Sequence, residues 1–98
     1  MYAVVTGHAQ SRLKSRSGLN KKSVNRIADR VLDRGYHRSE LNGNLRLYVD
    51  WIYRNNGKKA DNIRIYGDKV YIFIGTTLIT VLQIPSKLTQ NMKTMIEA

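Results

Sequence analysis

The most regular pattern of apolar and polar positions runs from Lys21 to Arg34. Val24, Ile27, Ala28, Val31 and Leu32 recur at i, i+3, i+4, i+7 and i+8, while Lys21, Lys22, Asn25, Arg26, Asp29, Arg30 and Asp33 take the other side. This spacing predicts an amphipathic helix with Asn20 as its N-cap, Leu19 stapled onto Val24, and Gly35 as its stop. Arg26/Asp29 and Arg30/Asp33 pairs are expected to relieve part of its basic wall. Upstream, residues 2–5 are a short β-favouring run suited to joining a later sheet, and Thr6 can cap a first helix from residue 7 to about 16 that Gly18 breaks. On a helical wheel that helix buries Ala9 and Leu13, and His8, Arg12 and Arg16 spiral from the outside toward the apolar stripe.

The stretch LRLYVDWIY at 45–53 fits a strand through Leu45, Leu47, Val49, Trp51 and Tyr53, or a helix through Leu45, Tyr48, Val49 and Ile52. Helix is preferred, because an Asn cap precedes it and a strand would put Tyr48 and Ile52 on the polar side. Trp51 and Tyr48 are expected in the core. Residues 63–84 read as a sheet: IRIY, a Gly67-Asp68 turn, KVYIFI, a turn around 75–77, and LITVLQI stopped by Pro85. With Tyr66 opposite Lys69, Ile63, Ile65, Val70, Ile72 and Ile74 share a core face. Arg64, Tyr66, Lys69, Tyr71 and Phe73 share a face that is aromatic and cationic. The second turn closes in more than one way, which leaves open whether Thr80 or Gln83 joins Arg64 and Tyr71. Residues 86–98 carry a weak helical pattern in Leu88, Met92, Met95 and Ile96. The expected architecture is α+β in one domain over 1–98: a short N-terminal strand, two to three helices, then a three-stranded antiparallel meander.

Charge changes this picture from a fold to a partner. Seventeen Lys and Arg against seven Asp and Glu give the 98 residues a net charge of +10. Between 12 and 38 nine basic residues face only Asp29 and Asp33. Such a surface gains affinity for nucleic acid by counterion release. Lys21, Lys22, Arg26 and Arg30, with Tyr66 and Lys69 on the sheet, are the expected nucleic-acid contacts. The absence of cysteine excludes a disulfide framework and fits a reducing compartment, so the expected location is cytoplasmic. No secretory leader is expected from MYAVVTG and no membrane span, since no run of about eighteen apolar residues occurs.

The chemistry is narrowed by what is missing. There is no HExxH, no DxD, no phosphate-binding glycine loop and no GxSxG, so neither a metal nor a cofactor is expected. What remains is phosphodiester cleavage in which an RNA 2′-hydroxyl attacks its own phosphate. That step needs a proton acceptor, a proton donor and fixed positive charge. His8 is the expected acid or base; Arg12, Arg16 and Arg64 are expected to hold phosphate; Tyr66 or Tyr71 to stack a base or move a proton. His37, in a polar link, carries little signal.

HAQSRLKSR at 8–16, together with RIYGDKVYIF and TLITVLQIP, resembles small phage and bacterial proteins with an N-terminal His-Arg-Arg helix and a terminal hairpin. The order of elements over nearly the whole chain also resembles the RelE-like ribonuclease toxins and the colicin-type ribonuclease domains grouped with them. RelE-like toxins cleave mRNA on the ribosome with Arg, Lys and Tyr residues on the sheet; the resemblance implies such roles for Arg64, Tyr66 and Tyr71. The combined expectation is a metal-independent endoribonuclease, toxin-like or a phage host-takeover factor, acting on RNA rather than DNA and paired with an acidic protein partner or antitoxin. The alternative is a non-catalytic nucleic-acid-binding or anti-defence inhibitor, of the anti-CRISPR kind, that occupies a host nucleoprotein by charge.

Overall fold

In the computed structural model, which describes residues 3–18, 20–41, 43–55, 61–85 and 88, the chain is α+β with a mixed sheet and three helices. The elements are β1 (Val4–Val5), α1 (Gly7–Ser17), α2 (Lys21–Arg34), β2 (Tyr36–His37), a 3-10 turn (Arg38–Glu40), α3 (Gly43–Asn55), β3 (Asn62–Tyr66), β4 (Lys69–Ile74) and β5 (Thr77–Gln83). The sheet has five strands, β2 in addition to the N-terminal strand and the three later ones expected, in the order β1-β5-β4-β3-β2. β1 joins β5 in parallel; β5 with β4, β4 with β3 and β3 with β2 are antiparallel. The strand missed from sequence is β2, which pairs Tyr36 with Ile65 and His37 with Arg64. Among the described residues no helix is long and apolar enough to cross a membrane.

The helices begin and end where local chemistry requires it. Thr6 caps α1, and Gly18 closes it at φ +65°, a left-handed conformation that glycine adopts without a Cβ clash. The Asn20 side chain accepts from the Ser23 amide at 2.9 Å and starts α2. The expected Leu19 staple lies outside the described residues. Gly35 ends α2 for a different reason: its backbone is extended, and a Cβ there would sit 2.6 Å from the Val31 carbonyl and 3.0 Å from Arg64 Cβ. Space, not a left-handed turn, selects this glycine. Asp29 accepts from the Ala3 amide, so one of the carboxylates expected to offset the basic wall is committed to the junction of β1 with α2.

Two apolar clusters lie on opposite faces of the sheet. Ile63, Ile65, Val70 and Ile72 pack with Leu45, Val49 and Ile52 of α3 and with Leu41, Ile84 and Leu88. Tyr71, Phe73, Leu78 and Val81 pack with Ala9 and Leu13 of α1 and with Val24, Ala28, Val31 and Leu32 of α2. The face expected to be aromatic and cationic is therefore the base of a second core. Two further expectations change. Ile74, placed in the core by alternation, is 45% exposed at the end of β4. Trp51 is 56% exposed, because α3 buries Leu45, Val49 and Ile52 and Trp51 falls about 100° round the helix from Ile52. Leu88 is buried against the α3 side, and the remaining residues of the expected C-terminal helix lie outside the described ones.

Gly35→Ala is expected to lower stability by about 1–3 kcal/mol, since the methyl group must displace backbone. Gly7→Ala, at a position with nothing within 4 Å, is expected to be neutral or to stabilise by up to about 1 kcal/mol. Urea unfolding midpoints compare the two; equal destabilisation would show that the Gly35 contact does not limit the approach of α2 to β3.

Candidate nucleic-acid interface

The position of His8 is set by an irregularity in the sheet. Ile74 pairs with Thr77 and Phe73 with Leu78; the register then slips, so that Ile72 meets Thr80 and Tyr71 meets Val81. Ile79 is the extra residue, and a bulge of this kind bends a strand and re-aims what lies beside it. The start of α1 is fastened there. The Thr6 amide donates to the Leu78 carbonyl at 3.1 Å. The Thr6 hydroxyl donates to the Ile79 carbonyl at 3.3 Å and accepts from the Ala9 amide at 3.2 Å. One side chain thus caps the helix and ties its first turn to β5.

His8 is exposed in that first turn, and Arg12 lies half-buried one turn on, its Nε donating to His8 Nε2 across 3.5 Å, at the long end of hydrogen bonding. Nε2 of the imidazole thus stands beside a permanent cation. No acidic side chain stands in this turn, and the helix dipole makes the same end favourable to anions. An exposed imidazole, a neighbouring guanidinium and a helix start are thus brought together. Arg16 lies in the last turn of α1; whether its side chain reaches Arg64 or Tyr71 lies outside the described residues.

α2 packs on the same sheet face as α1 and turns its basic side outward. Lys22, Arg26, Arg30 and Arg34 are exposed at four-residue intervals, a shallow spiral about 18 Å long. Three successive like-charge pairs at i, i+4 cost the helix about 0.2–0.5 kcal/mol each. Lys22 also stands in the first turn of α2, at the positive end of its dipole, where a cation is unfavourable. These charges work against the helix, and a polyanion would reverse that cost.

The sheet candidates are placed otherwise. Arg64 donates from Nη1 to the Gly35 carbonyl at 3.1 Å and from Nε to Asn62 Oδ1 at 2.8 Å, which ties the exit of α2 to β3. Its cation stands at the negative end of the α2 dipole. Tyr71, only 4% exposed, belongs to the core beneath α1 and α2. Burial, reinforced by the charge of Asp68 and by Tyr66, pushes its phenol up to about 12. Tyr66 is half-buried at the edge of that cluster. Lys69 pairs with Asp68 at 2.9 Å, and Gln83 donates to the same carboxylate at 3.0 Å. These two bonds, Lys69 first, hold the Asp68 carboxyl below its usual range. The register places Gln83, opposite Lys69, on the Arg64 and Tyr71 face and Thr80, opposite Ile72, on the other.

The histidine with little sequence signal takes a local structural place. His37 stands across β2 from Arg64, where its Nδ1 accepts from the Ser39 amide at 3.3 Å and its own amide donates to Glu40 at 3.0 Å. Its ring closes the turn after β2. Among the described residues no group of three His, Asp or Glu could hold a metal ion.

Alkaline titration tests the burial of Tyr71. A phenol raised from 10 to about 12 by the fold adds stability that is present below pH 10 and lost as the pH climbs through about 12. Tyr71→Phe is expected to remove the late phase of phenolate absorbance and to flatten stability in that window. Loss of an ordinary phase near pH 10 instead would show that Tyr71 is solvated.

Comparison of the chain with protein-family models, with curated proteins and with solved structures finds no match.

Proposed function

We propose that this protein is RNA-directed and acts as a metal-independent endoribonuclease, with His8 and Arg12 at the reacting phosphate and the α2 row on the RNA backbone. The observation that carries the reading is the His8–Arg12 pair, an imidazole beside a fixed cation on an exposed helix start. In the proposed step Arg12 turns from His8 to the phosphate, the released His8 Nε2 takes the proton of a ribose 2′-hydroxyl, and the 2′-oxygen attacks the adjacent phosphorus. The bond from phosphorus to the 5′-oxygen breaks, and that oxygen takes a proton from water. Arg12 balances the charge that builds on the non-bridging oxygens. RNA is favoured over DNA because DNA lacks the nucleophile.

The likeness to RelE-like and colicin-type ribonucleases belongs to the same proposal, as do a cytoplasmic setting, a toxin or phage host-takeover role, and a neutralising acidic partner. Fold and chemistry vary independently, so the site rests on His8 and Arg12 and not on that likeness. Relative to the sheet site of RelE-like toxins, the reading moves the chemistry to α1. Arg64 and Tyr71 support the fold beneath it. The α2 row supports a second reading, a non-catalytic binder or anti-defence inhibitor, since a row of cations needs no reacting group.

End-labelled RNA incubated with the purified protein in EDTA is expected to yield 2′,3′-cyclic phosphate ends. His8→Ala is expected to slow cleavage by about 100-fold or more while RNA affinity is largely retained. Intact RNA, with salt-sensitive binding that charge reversal at Lys22, Arg26 and Arg30 weakens, would replace the enzyme with the binder.

A further inference from the structure

α3 carries two apolar stripes, and the core uses one. Leu45, Val49 and Ile52 are buried against the sheet. Leu47 and Trp51, one turn apart on the other side, are 64% and 56% exposed. Beside them runs a groove of about 390 Å³ lined by Leu47, Asp50, Tyr53 and Arg54. A large aliphatic and an aromatic residue exposed at i, i+4 form an apolar surface with no partner among the described residues.

Charge indicates what fits there. α1 and α2 each carry a net +3, whereas α3, with Arg46, Arg54 and Asp50, carries +1. α3 also lies on the sheet face opposite α1 and α2. A polyanion drawn to a chain of +10 has least reason to choose this helix. Two copies of the chain repel each other, and among the helices α3 is the one where that repulsion is smallest.

We propose that α3 is the contact of a homodimer in which two α3 helices run antiparallel about a two-fold axis. Leu47 of each copy packs on Trp51 of the other, with Arg46 of each beside Asp50 of the other. The sequence is self-complementary in that arrangement. Leu47 and Trp51 stand symmetrically about residue 49, and an axis there sets them directly opposite their counterparts, with Arg46 and the second copy's Asp50 offset along the helix by about 3 Å, within reach of an arginine side chain. In an antiparallel pair the same flank of each helix meets, and Arg46 and Asp50 share a flank one turn apart. The groove beside Leu47 receives the indole of the second copy. A contact along one helix about 20 Å long is smaller than the standard interface of about 1,200–2,000 Å², so the dimer is weak.

Sedimentation of the full chain from about 10 µM to about 1 mM, with Trp51 emission recorded on the same samples, tests the proposal. Trp51 is the single tryptophan, so its emission reports this face alone. The expected result is a shift from monomer to dimer mass with a parallel blue shift. Added salt should strengthen association by screening the repulsion between the two cationic chains, the opposite of its effect on RNA binding. Leu47→Glu should weaken the dimer about tenfold or more with the helical signal unchanged. Arg46→Asp and Asp50→Arg should each weaken it, and the double swap should restore it. A monomer at every concentration, or a dimer indifferent to Leu47→Glu, would overturn the proposal. So would a Trp51 shift produced by RNA on a protein that stays monomeric, which would assign the face to nucleic acid.

Discussion

β4 lies between β5 and β3 and is covered on both sides, Val70 and Ile72 by α3 and Tyr71 and Phe73 by α1 and α2. Each such side chain removed from water contributes about 1.5–3 kcal/mol, so this one strand anchors both clusters. The double cover has a functional consequence. The centre of the sheet has no open face for a polar site, and groups that look reactive in sequence become structural when they fall on it. Tyr71 becomes a core phenol and Arg64 a tie between β3 and the end of α2. The exposed candidates His8, Lys22, Arg26 and Arg30 stand instead on the outer surfaces of the helices.

On those surfaces, placement depends on the strands beneath. The slip between β4 and β5 frees the Ile79 carbonyl for the Thr6 hydroxyl, Thr6 caps α1, and the cap fixes the turn that holds His8. The row on α2 depends on the same packing. Its cations tolerate one another because Val24, Ala28 and Val31 hold the helix down. Stability made by apolar burial thereby supports charge arrangements that an isolated helix would not favour.

The parts of this architecture that can be read from sequence are those with a strong local signal. α2 follows from its period and caps, α3 from Leu45, Val49 and Ile52, and the β3–β4 register from the Gly67-Asp68 turn. What could not be read depends on partners distant in sequence. β2 is two residues long and has no period, so only its pairing with Ile65 and Arg64 defines it. The alternation of Arg64, Tyr66, Lys69 and Tyr71 resembles a solvated face, because tyrosine, arginine and lysine can hide apolar stems while keeping polar tips bonded. An arginine in the sequence likewise does not disclose whether its fork faces a phosphate or a helix carbonyl. The His8–Arg12 spacing was visible, but its attachment to a bulge in β5 was not.

The central claim is that polyanions meet this protein on α1 and α2 and not on the sheet. Amide chemical shifts followed during titration with a short RNA oligonucleotide test it most directly. The account predicts perturbations concentrated at His8, Arg12, Lys22, Arg26 and Arg30, fading as salt is raised. Perturbations centred on Arg64, Tyr66, Lys69 and Tyr71, with the first turn of α1 and the α2 row unmoved, would contradict it.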